Sequence, residues 1–134
     1  MRDIKFRAKD IETGQWLYGW IFGDKAKSIV EMDKNYPNNY GVEAYYTSVV
    51  EPETVGQYTG LKDKNGKKVF EGDIIECGDG KVPTLIEWHD ESHSFLAYNL
   101  KRKEYHRLDK YFLRYIGEII GNIHENPELM EVTE

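Results

Sequence analysis

Short runs in which apolar and polar side chains alternate, each closed by a turn signal, leave this chain few architectures. In Ile4-Lys5-Phe6-Arg7-Ala8 the apolar residues fall on one side of an extended chain and the bases on the other, the period of a half-buried strand. Thr13-Gly14 then centres a turn, and Trp16 to Phe22 returns as an aromatic-rich second strand. The pair reads as an N-terminal β-hairpin. With 40% hydrophobic and 31% charged residues and only four prolines in 134, the chain can bury a core without disulfide or metal staples.

The same reading continues downstream. Ser28 to Met32 is a short strand inside a loop-like stretch from Gly23 to Asn39, and Asn35-Tyr36-Pro37-Asn38-Asn39 has the composition of an exposed turn. Tyr45 to Val50 and Thr54 to Thr59 are strands separated by the Glu51-Pro52-Glu53 break. Asn65-Gly66 signals a type I′ turn, because both residues tolerate positive φ. Asp73 to Glu76, Pro83 to His89 and Phe95 to Leu100 follow as strands. In Lys101 to Tyr115, the residues Tyr105, Leu108, Tyr111, Phe112 and Tyr115 fall at helical intervals, and a partial helix is favoured over strand and loop. Tyr115 to His124 resumes strand character with bends at Gly117 and Gly121, and Asn126-Pro127-Glu128 caps and opens one helical turn. Short strands with frequent turns favour a mainly β protein: a small antiparallel, SH3-like barrel sheet with the N-terminal hairpin and at most one or two short helices.

Charge and cysteine content narrow the function classes. Eighteen Lys and Arg against 24 Asp and Glu give a net charge of −6, which opposes general coating of phosphate backbones or anionic lipid. One cysteine, Cys77, rules out an internal disulfide framework and suits a reducing cytoplasm. No apolar run of signal-peptide or membrane-span length is present, so a cytoplasmic protein with no membrane partner is expected.

The blocks Met1 to Ala8 (MRDIKFRA), Gln57 to Ile75 (QYTGLKDKNGKKVFEGDII), Ile86-Glu87-Trp88 and Ile120 to Leu129 (IGNIHENPEL) together resemble the YopX family of bacteriophages and bacterial prophage regions. Gly23 to Val50 and Glu91 to Tyr115 look like variable insertions within that pattern. The resemblance implies a mainly β, homo-oligomeric protein of phage origin, with no assigned activity and hence no catalytic residues to carry over. It is taken as one YopX-like domain over 1–134, with an N-terminal β part, 1–56, and a barrel-like part, 57–130.

No sequence pattern supports catalysis. Glu71 and Asp73 flank Gly72, and a tight bend with the Asp bonded to nearby amides explains them better than a metal or an acid–base pair. Asp63-Lys64-Asn65-Gly66 lacks the glycine and glutamate spacing of a calcium loop and reads as a hairpin tip, its four lysines (Lys62, Lys64, Lys67, Lys68) guarding a strand edge. His89 and His93 have the spacing of a zinc pair on a helix, but their surroundings read as a turn, so no metal and no cofactor are expected. Phosphate-loop, dinucleotide and nucleophile-elbow patterns are missing.

Two segments are candidates for binding. Trp16, Tyr18, Trp20 and Phe22 give the hairpin aromatic side chains, expected on both of its faces, one face being an interface for self-association or for a phage or host protein. Lys101, Arg102, Lys103, Arg107, Lys110 and Arg114, set against Glu104 and Asp109 and interleaved with Tyr105, Tyr111 and Phe112, combine bases for phosphates with rings for stacking, as single-strand binders do. The competing reading, which is favoured, has the rings facing the core and the bases solvated or paired with the acidic tail from Glu118 to Glu134.

Overall fold

The structure is a computed structural model, and it describes residues 5–23, 28–32, 45–77, 82–108 and 117–131. Its strands are β1 (Phe6–Lys9), β2 (Trp16–Phe22), β3 (Ser28–Met32), β4 (Tyr45–Val49), β5 (Gly56–Lys62), β6 (Lys68–Phe70), β7 (Asp73–Cys77), β8 (Val82–His89), β9 (Ser94–Asn99), β10 (Glu104–Arg107) and β11 (Glu118–Asn122). Every pairing among the described residues is antiparallel. Among the described residues the only helical elements are two single 3-10 turns, Pro52–Thr54 and Pro127–Met130. The protein is therefore mainly β, with two open antiparallel sheets; closure into an SH3-like barrel is not seen among these residues.

The chain divides into two compact units, Asp3–Gln57 and Tyr58–Glu134. In the first unit the strand order is β4-β3-β2-β1, and β1 goes on to pair with the start of β5. The hairpin is closed by Asp10, whose Oδ1 accepts the N–H groups of Glu12 and Thr13 at 2.8 and 3.2 Å, a side-chain mimic of a backbone turn. One face of this sheet carries the core of Ala8, Ile29 and Val50, with Leu17, Ile21 and Val55 packed on it. The Glu51-Pro52-Glu53 break is a 3-10 turn, and strand β5 begins only at Gly56. Thr54 fixes that turn: its hydroxyl donates to the Glu51 carbonyl at 2.6 Å and accepts the Lys9 N–H at 2.9 Å.

In the second unit β5 pairs with β6, and a five-stranded sheet runs β10-β9-β8-β7-β11. Ile75, Ile86 and Ala97 lie on one face and, with Val69, form a fully buried cluster that Leu61, Leu108 and Ile119 complete. The turn before β7 is built as the sequence suggests, with Asp73 accepting the Phe70 N–H at 2.8 Å while buried.

Three local expectations are corrected. Glu104–Arg107 is a strand, not part of a helix, because each of its residues pairs with β9 from Asn99 back to Leu96; cross-strand bonding wins over helical spacing. Asn126 places no side-chain cap on the final 3-10 turn; its Oδ1 instead accepts the Asn122 N–H at 3.2 Å. The Asn65-Gly66 tip is not type I′: Gly66 has φ of 81°, but His93 and Lys103 are the only other residue types than glycine with positive φ among the described residues. Gly66 N–H donates to the Asp63 carbonyl at 3.0 Å, the pattern of a turn followed by one left-handed residue.

Candidate functional site

An antiparallel sheet with one face on a core ordinarily turns polar side chains outward on the other. In the first unit the outward face is aromatic. Trp16, Tyr18, Trp20 and Phe22 share one parity on β2, so all four lie on the same face and not on both, while Leu17 and Ile21 alternate with them onto the core. Tyr18, Trp20 and Phe22 are 43%, 52% and 45% exposed. Successive rings along the strand are about 7 Å apart. Phe22 pairs with Ser28, which pairs with Val49, and Val49 is itself 54% exposed, so the apolar surface extends from β2 onto β4.

Trp16 differs from its three neighbours. The Arg7 guanidinium lies 4.6 Å from its ring centroid and the Lys9 ammonium 5.6 Å, a cation–π arrangement that covers the indole. The register explains it, since Lys9 stands opposite Trp16 and Arg7 opposite Tyr18. The face thus grades from a cationic end at β1 to a bare apolar stretch at Trp20, Phe22 and Val49.

The basic segment occupies the β9–β10 turn and β10. Lys101, Arg102, Lys103, Tyr105 and Arg107 are all exposed. The turn is held by Asn99, whose carbonyl accepts the Lys103 N–H and whose side chain accepts the Arg102 N–H, at 2.8 and 2.9 Å. Arg102 and His106 both approach the Glu104 carboxylate, at 3.8 and 3.2 Å. Tyr105 packs edge-on to His89 at 4.5 Å and against Tyr98 at 4.9 Å. Its hydroxyl is held above the ordinary tyrosine range by desolvation first, then by the charge of Glu87 and a hydrogen bond to it. Lys110, Tyr111 and Arg114 lie outside the described residues. Glu118 of the acidic tail turns to the β5–β6 hairpin instead of the basic segment, 3.6 Å from Lys64 Nζ and 3.3 Å from Asn65 Nδ2.

The histidines do not assemble a metal centre among the described residues, where no group of three His, Cys, Asp or Glu side chains is placed to hold an ion. His89 lies 3.6 Å from Glu87, while His93 sits in the following turn with φ of 50°. Likewise, among the described residues no helix is long and apolar enough to cross a membrane.

Sequence reading misses one residue altogether. Asp63, which looks like part of a solvated lysine-rich tip, is 2% exposed. Its Oδ1 accepts the N–H groups of Asn65 and Lys67, both at 2.9 Å, and its Oδ2 that of Ile119 at 3.1 Å. Four charged neighbours hide it, and only the Asx-turn propensity of Asp before Asn-Gly could have signalled it.

The sequence model of the YopX family, described as YopX protein, matches residues 5–131, and the chain belongs to that family. The fold is similar to the crystal structure of protein EF1440 from Enterococcus faecalis, with a TM-score of 0.61 and 27% identity over 98% of this chain and 100% of that one. No protein of curated function matches the chain.

Proposed function

We propose that this YopX-family chain does no covalent chemistry and works as a phage or prophage accessory protein in the bacterial cytoplasm, through contacts between its own copies and with a protein partner. The outward aromatic row of β2 carries this reading. Three large rings and Val49 face solvent on a sheet whose other face is already packed, and such a surface gains from being covered. A second copy is the occupant that fits: the cationic end at Lys9 is complementary to a chain of net charge −6, and aromatic residues beside a charged rim are the composition of interface cores. The test is sedimentation equilibrium of the intact chain and of Trp20→Ala, with circular dichroism as the folding control. A lower mass with an unchanged spectrum is expected. Equal masses for the wild type, Trp20→Ala and Trp16→Ala overturn the reading.

One observation favours a second reading, nucleic-acid binding, since all of residues 101–107 are exposed with four cations among them. On that reading Arg102→Ala with Lys103→Ala weakens binding evenly across sequences and flattens its salt dependence. Fluorescence anisotropy with single-stranded and duplex probes at two salt concentrations decides it, and no binding at low salt disposes of it.

A further inference from the structure

We propose that the outward face of β8, β9 and β10 is a stacking site for single-stranded nucleic acid, with one base on Tyr105 and the phosphates beside it on Arg107 and the β9–β10 turn. The proposal rests on the nucleic-acid reading given above and adds to it the kind of strand and the ring that meets it. Ile86 and Ala97 stand opposite each other and point into the core. Glu87 and His89 on β8, and Leu96 and Tyr98 on β9, alternate with them onto the other face. The register carries that face onto β10, where Tyr105 stands opposite Tyr98 and Arg107 opposite Leu96.

Tyr105 is the most open ring of this face, 49% exposed. It is also held in place. His89 meets it at 72° and Tyr98 at 48°, so neither lies flat on it, and Glu87 takes the hydrogen bond of its hydroxyl. A ring already fixed by its neighbours loses little freedom when a base covers it. A base offers a bare flat face only where it is unstacked, so the ring selects a single strand over a duplex.

Cations lie on both sides of the ring along the strand. Arg107 follows Tyr105 on the same face, about 7 Å further along, and Lys101, Arg102 and Lys103 occupy the turn before it, all four exposed. Two carboxylates are near. Glu104 belongs to the opposite face with His106, and its contact with Arg102, 3.8 Å between side chains 50% and 70% exposed, is weak. Glu87 keeps its Oε2 buried from solvent, so that oxygen does not confront a phosphate. Lys103 adds an independent sign. Its φ is 54°, a left-handed conformation that glycine takes at lower cost. A lysine there gives up backbone ease for a charge, and strained positions of this kind gather at binding sites. An acidic peptide would satisfy the cations and leave Tyr105 open, so a strand carrying bases is favoured.

The experiment is fluorescence anisotropy of the intact chain with labelled oligothymidylate, oligouridylate and a duplex, at low and higher salt, with polyglutamate as competitor. Single strands are expected to bind more tightly than the duplex, and Tyr105→Leu to weaken them about tenfold or more, the worth of one stacked base. Tyr105→Phe keeps the ring and is expected to stay within about twofold of the wild type. Arg107→Gln and Lys103→Gly are each expected to lower the slope of affinity against salt by about one contact. Lys103→Gly is expected to do so without lowering the melting temperature, because glycine accepts that φ. Lys67→Gln, at an exposed position of the β5–β6 hairpin, is expected to change nothing, and circular dichroism confirms that each variant is folded. A lead of oligouridylate or of oligothymidylate supports the site and names its strand. No binding of any probe overturns the nucleic-acid reading and this site with it. Preference for the duplex, full binding by Tyr105→Leu or equal loss from Lys67→Gln overturns the site and leaves that reading standing. Polyglutamate competing as well as the oligonucleotides overturns both and assigns the cations to an acidic protein.

Discussion

The backbone N–H of Ile119 donates to the carboxylate of Asp63 at 3.1 Å, joining residues 56 positions apart. The same carboxylate closes its own turn by accepting from Asn65 and Lys67, so one side chain both shapes the β5–β6 hairpin and holds β11 to it. A buried acceptor with three donors is costly to lose, because each amide left without a partner pays its desolvation.

Asp63→Ala is therefore expected to destabilise the protein by about 3 kcal/mol or more, the sum of several unmade hydrogen bonds. Asp63→Asn keeps one acceptor oxygen for the turn and costs less, though its amide group cannot accept from Ile119. Urea denaturation followed by circular dichroism orders the two; equal stability of Asp63→Ala and the wild type contradicts the role given to this carboxylate.

The two faces of the first-unit sheet make a second comparison. Ile29 is 1% exposed, and Ile29→Ala is expected to cost about 2–5 kcal/mol through lost burial and the cavity left behind. Trp20→Ala, from the outward face, is expected to change the stability of a single copy by about 0.5 kcal/mol or less, as surface substitutions do. Measuring both at a protein concentration too low for association separates face from core; a large loss for Trp20→Ala places that ring inside.

Tyr105 supplies a pH prediction. With its hydroxyl raised above the ordinary range, first by desolvation and then by Glu87, the folded state favours the neutral phenol. The contribution is fully present below the ordinary tyrosine pKa and is lost as pH climbs past it. Ultraviolet difference titration is expected to show a late-ionising tyrosine that Tyr105→Phe removes and that Glu87→Gln brings to lower pH. An unchanged curve in Glu87→Gln argues against the contact.

At the hairpin tip, Gly66→Ala places a side chain at φ of 81° with nothing within 4 Å of its Cβ. The cost is then backbone strain alone, about 1 kcal/mol. A thermal scan that shows no loss means the tip rearranges around the alanine.

Most strands were legible as short alternating or apolar runs closed by turn signals: the stretches read as Ile4 to Ala8, Trp16 to Phe22 and Pro83 to His89 correspond to the strands Phe6–Lys9, Trp16–Phe22 and Val82–His89. The β10 segment was not, since Tyr105 and Leu108 fit a helix as well as a strand, and only the partners on β9 decide between them. The aromatic row was visible as residues, but both sides of β2 are apolar. Leu17 and Ile21 went inward because Ala8 and Ile29 meet them there, a fact held by neighbouring strands and not by β2. The burial of Asp63 depends on an amide at Ile119, which no local pattern reveals.

The three tryptophans also act as built-in optical labels. Trp16 is covered by Arg7 and Lys9, Trp20 is open to a dissolved quencher, and Trp88 donates its N–H to Asp90 at 2.7 Å with Phe95 edge-on at 5.0 Å. The first two belong to one compact unit and the third to the other. Emission from Trp16→Phe and Trp20→Phe together, or from Trp88→Phe, therefore follows each unit's melting separately, without any attached dye.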